Sequence, residues 1–108
     1  MGLFSRRGTT STRSERKQEQ DDVRRHLEEF VRSRVGVEAF VEPETTVTPP
    51  TVLVVASSGE WTRRRVPDPR TVRDLAERLA VPVYDVRLVG YPQRMRDWNE
   101  RNRGSRDL

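Results

Sequence analysis

Residues 51–66 read TVLVVASSGEWTRRRV, and this stretch decides the fold. Val52-Leu53-Val54-Val55-Ala56 is an unbroken apolar run of strand length, which suits a central strand covered on both faces. Ser57-Ser58-Gly59-Glu60 follows as a turn of hairpin length, with Gly59 supplying the conformational freedom. Trp61 to Val66 then reads as the returning strand. A β-hairpin sits at the middle of the chain.

Working outward toward the N-terminus, Pro49-Pro50 denies a ladder its donors, so residues 44–50 read as a loop. Before it, Val35, Val37, Ala39 and Val41 alternate with Gly36, Glu38 and Phe40, a period of two that predicts a strand over 35–41, ended by Pro43. Val23, Leu27, Phe30 and Val31 fall on one stripe of a helix running from about Asp21 to Arg34. Asp21 and Asp22 near its start and Arg32 and Arg34 near its end suit the helix dipole, and Gly36 stops it. Residues 1–20 are polar and lack any hydrophobic period, which predicts a disordered basic arm, with helix at most fraying in after Ser14.

Toward the C-terminus, Asp68-Pro69 joins a favoured N-cap to the residue best tolerated in the first helical position. The helix it opens runs to about Ala80, with Val72, Leu75, Ala76 and Leu79 on one face. Val81 precedes Pro82 and is pushed out of helix. Val83 to Val89 reads as a fourth strand, with Tyr84, Val86 and Leu88 inward and Asp85 and Arg87 outward. Gly90-Tyr91-Pro92 turns the chain, and 93–103 is a charged helix followed by a fraying end. The order is α-β-β-β-α-β. It predicts an α+β domain over 21–92, a small mixed sheet of three to four strands with helices on one side, followed by a charged helix or tail over 93–108.

The chain has 108 residues, 32% hydrophobic and 35% charged, so it holds one domain with a small core. A second copy or another partner helps to stabilise a core of that size. It has no cysteine, which excludes disulfides, thiolate metal sites and cysteine nucleophiles. No apolar stretch reaches the roughly 18–20 residues that span a bilayer. The first seven residues lack a hydrophobic region of signal-peptide length, so the expected location is the cytoplasm.

The net charge of +4 is unevenly spread: +3 over residues 1–20, −3 over 21–48, +2 over 49–92 and +2 over 93–108. Lys17 is the one lysine; every other base is arginine, which favours bidentate contacts to phosphate and carboxylate. A GC-rich genome produces the same bias without a function behind it.

Two stretches carry candidate binding residues. On a strand, Trp61, Arg63 and Arg65 share one face while Thr62 and Arg64 share the other. A tryptophan beside arginines can stack a base and grip phosphates. The plainer alternative is a solvent-facing strand whose arginines pair with Glu42, Glu44 or Glu60 and pack over the indole. In the second stretch, Arg94, Trp98 and Arg101 form a basic-aromatic stripe on a helix that also carries Arg96. That stripe suits nucleic acid or a protein groove; alternatively Met95 and Trp98 simply cap the sheet. Arg6-Arg7 beside Leu3-Phe4 adds a weak signal for polyanions or an anionic membrane.

Enzyme chemistry finds little footing. His26 is the one histidine and reads as a surface residue of the first helix rather than a general base. Glu28-Glu29, Asp21-Asp22 and Asp85 read as solvated charges. The glycines form neither a dinucleotide nor a phosphate-binding loop, so no catalytic residue and no cofactor is implied.

The segments GEWTRRRV, residues 59–66, and GYPQRMRD, residues 90–97, resemble a group of short actinobacterial proteins of uncharacterised function. The resemblance covers roughly residues 36–98. It implies a bacterial cytoplasmic protein, and some members carry an oxidoreductase label for which this chain offers no flavin, dinucleotide or redox-cysteine signature. The residues themselves point first to a non-enzymatic module binding an anionic partner, nucleic acid or a ribonucleoprotein. The alternative is a protein-interaction or accessory subunit, in which a homodimer is one form, and an enzyme of oxidoreductase type stands third.

Overall fold

A computed structural model of the chain describes residues 12–66 and 69–103. Its elements are α1 (Arg13–Ser33), β1 (Glu38–Glu42), β2 (Thr51–Val55), β3 (Trp61–Arg65), α2 (Pro69–Leu79), β4 (Val83–Asp85), the single turn α3 (Val86–Val89) and α4 (Gln93–Arg101). The four strands form one mixed sheet in the order β3-β2-β1-β4. β2 runs antiparallel to both neighbours, and β4 lies parallel to β1. The class is α+β.

The hairpin stands where the apolar run and its turn place it. β2 is an inner strand, and Val52, Leu53 and Val55 are at most 1% exposed. Alternation divides its side chains between two clusters. Val52 and Val54 pack with Ala39, with Leu27 and Phe30 of α1 and with Val72 and Leu75 of α2. Leu53 and Val55 pack on the other face with Phe40, Met95 of α4 and the half-buried Trp61. Helices therefore cover both faces, which corrects the expectation of helices on one side. The physical reason is Phe40: it is 4% exposed, so β1 buries both of its faces and needs α4 as a second layer.

Three boundaries also differ from the sequence reading. α1 begins at Arg13, not Asp21, so residues 13–20 are helix rather than a disordered arm. The cause is a capping box: Thr12 Oγ1 accepts from the Glu15 N–H at 3.1 Å and the Thr12 N–H donates to Glu15 Oε1 at 2.8 Å. Lys17 and Gln18 then reach Asp21 and Asp22 one turn on. The rest of the expected arm, residues 1–11, lies outside the described residues, as do the Asp68 cap and residues 104–108.

β1 starts at Glu38, leaving Val35 exposed ahead of it. β4 ends at Asp85, and Val86–Val89 is helical rather than strand. Asp85 Oδ1 accepts from the Arg87 N–H at 2.8 Å, capping that turn and taking the backbone out of the ladder. Leu88 consequently stands 84% exposed, so its inward placement is overturned; Tyr84, although 37% exposed, keeps its ring against Phe40 with centroids 5.4 Å apart.

Candidate functional site

The register of β2 with β3 pairs Val55 with Trp61, Leu53 with Arg63 and Thr51 with Arg65. Trp61, Arg63 and Arg65 thus share the α4 face, while Thr62 and Arg64 share the face of α1 and α2. The eight candidate residues fall into two groups according to what they already hold.

The first group is engaged within the fold. Trp61 Nε1 donates to Asn99 Oδ1 of α4 at 2.8 Å. Arg63 lies over the same indole, 5.2 Å from the ring centre, and makes a bidentate pair with Glu42 at 2.7 and 3.0 Å. Thr51 donates to Glu42 at 2.6 Å, and the Tyr91 hydroxyl donates to it as well. Partial burial alone would raise the Glu42 carboxyl. The bonds from Arg63, Thr51 and Tyr91 and the Arg63 charge outweigh it and hold the group below its ordinary range. Arg94 donates from Nε to the Ala56 carbonyl at 2.9 Å and from its guanidinium to Glu38 Oε1 at 2.6 Å. Trp98 is half-buried against Gly59.

The second group meets no carboxylate among the described residues. Arg64 donates to the Arg63 carbonyl at 2.7 Å, to Thr62 Oγ1 at 3.4 Å and toward His26 Nδ1 at 3.3 Å. Arg65 and Arg96 are exposed, and their guanidinium groups make no hydrogen bond or ion pair to a described residue. Arg101 donates to the Ser58 carbonyl at 3.0 Å and stands 5.9 Å from the Trp98 ring centre. Four arginines therefore carry charge that the described fold does not neutralise.

His26 is tied to this strand, a connection that sequence reading missed. A guanidinium only donates, so Nδ1 facing Arg64 carries the lone pair and Nε2–H donates to Thr62 Oγ1 at 3.0 Å. Burial first, then the Arg64 and Arg34 charges, lower the imidazole below its usual value against the opposing pull of Glu29. Beside it, a cleft of about 250 Å³ is lined by His26, Glu29, Arg34, Glu60 and Trp61. One of its two acids is already matched: Glu60 holds Arg34 at 2.6 Å. Among the described residues no three His, Cys, Asp or Glu side chains converge as a metal site would require.

The partners of Trp61 and Arg63 were only partly foreseeable. Glu42 was one of three acids expected near the arginines; Glu60 instead pairs with Arg34. Asn99, Thr51 and Tyr91 carried no local signal, because their roles come from the register and from the docking of α4. Residues 59–66 and 90–97 meet in space, since a Cβ on Gly59 would lie 2.1 Å from the Arg94 carbonyl oxygen. No protein family, curated protein or solved structure matches this chain. No described helix is long and apolar enough to cross a membrane.

Proposed function

We propose that this chain is a non-enzymatic binding module for an anionic partner, with nucleic acid or a ribonucleoprotein the class that its basic-aromatic surface suits first. The observation that supports the reading is the set Arg64, Arg65, Arg96 and Arg101, exposed and without a carboxylate among the described residues. Adjacent like charges on a strand repel, and an external anion relieves that repulsion. A cytoplasmic location belongs to the same proposal. So does kinship with the short actinobacterial proteins that share GEWTRRRV and GYPQRMRD.

One observation favours the second reading, a protein-interaction module. The Arg63 guanidinium already lies over the Trp61 ring, so a stacked base would have to displace it. Charge remains available while the stacking surface is occupied.

Fluorescence anisotropy of labelled RNA and DNA oligomers across a salt series tests the proposal. Four phosphate contacts on a single strand give a log–log salt slope of about −3. No binding at about 50 mM salt contradicts the nucleic-acid class and leaves a protein partner.

A further inference from the structure

β3 offers a partner more than charge. In an antiparallel pair, alternate residues bond toward the neighbouring strand and the others point away. The Ala56 N–H donates to the Glu60 carbonyl at 2.8 Å, and the Val66 N–H donates to the Pro50 carbonyl at 3.0 Å. Even-numbered residues of β3 therefore face β2, and the main-chain groups of Trp61, Arg63 and Arg65 point outward. β3 ends the sheet, so no described strand takes up those groups. One of them has a resident: the Arg63 carbonyl accepts from Arg64.

The chemistry of this edge selects its occupant. A second copy pairing along β3 sets one run of three arginines against another, which is destabilising. Nucleic acid supplies phosphate acceptors for the N–H groups but no regular row of donors for the outward carbonyls. An extended polypeptide supplies both. Arg64 and Arg65 then require that its side chains bring carboxylates.

We propose that β3 is a strand-addition site for an extended, acidic segment of a partner polypeptide. Main-chain groups of Trp61, Arg63 and Arg65 form the new ladder, and Arg64 and Arg65 take carboxylates. The proposal rests on the anionic-partner reading and names the partner class at this strand. Arg64 exchanges its neutral contacts to Arg63, Thr62 and His26 for charge-assisted bonds, which frees the Arg63 carbonyl for the ladder.

Amide hydrogen exchange of the full chain, with and without an acetylated peptide of about eight residues in which adjacent glutamates flanked by valines put carboxylates on both faces of the added strand, tests this. Peptide at ten times its Kd is expected to slow exchange of the Trp61, Arg63 and Arg65 N–H groups about tenfold. Those of Thr62 and Arg64, already bonded to β2, stay as they were. Arg65→Pro deletes one outward donor and is expected to weaken the peptide more than Arg65→Gln, which deletes only the charge. Peptide binding without protection of the three amides overturns strand addition and keeps the anionic reading, as does binding of an RNA oligomer in place of the peptide. If neither probe binds, both fall.

Discussion

Arg94 Nε and the carbonyl oxygen of Ala56 lie 2.9 Å apart, a bond that fastens the C-terminal helix to the central hairpin. The same guanidinium holds Glu38 at the start of β1, so one side chain joins three elements. Its planar fork reaches both acceptors at once, which a lysine ammonium does not reproduce. Arg94→Lys is expected to cost about 1–3 kcal/mol in urea denaturation. Its effect on any anion binding should be small, because Arg94 is committed inside the fold.

Gly59 and Gly90 both have positive φ, +96° and +74°, yet they should respond differently to alanine. At Gly90 a Cβ meets nothing within 4 Å, so Gly90→Ala carries only the backbone strain of about 1–3 kcal/mol. At Gly59 the Cβ also meets the Arg94 carbonyl and Trp98 Cβ, at 2.1 and 2.9 Å. Gly59→Ala should therefore destabilise more than Gly90→Ala and expose Trp98, measured by denaturation and by tryptophan emission.

Acid should loosen the α4 face through Glu42. Its carboxyl is held below the ordinary range in the fold, so the folded state binds fewer protons than the unfolded chain as pH falls. The stabilisation is complete above the unfolded value of about 4.3 and is lost as pH drops through the folded one. Glu42→Gln should flatten that acid limb. At neutral pH it should cost about 1 kcal/mol, since Arg63 is 41% exposed and water screens the pair.

The elements that were legible in the sequence are those built on local signals. β2 declared itself by Val52 to Ala56, the hairpin by Ser57 to Glu60, and α2 by Pro69 with the Val72, Leu75, Ala76 and Leu79 face. The start of α1 was equally local: Thr12-Arg13-Ser14-Glu15 is a capping-box spacing, hidden by the polar composition around it. β4 misled because Val83 to Val89 alternates convincingly, while the Asp85 side chain captures the Arg87 N–H instead. The α4 layer was not legible, since Phe40 and Met95 meet across 55 residues of chain. The division of the arginines followed from register, which no single segment specifies.

Anion binding at β3 is tested by comparing Arg64→Gln/Arg65→Gln with Arg103→Gln, whose charge Glu100 already holds at 2.5 Å. Anisotropy is read with the single-stranded RNA oligomer and the acidic peptide across a salt series. The double variant is expected to keep its fold by circular dichroism and to bind at least about tenfold more weakly, with the RNA salt slope reduced by about 1.4 if both arginines meet phosphate. Arg103→Gln should bind as the parent does. Equal affinity and an unchanged slope in the double variant would contradict the claim that the β3 arginines are the anion-binding surface.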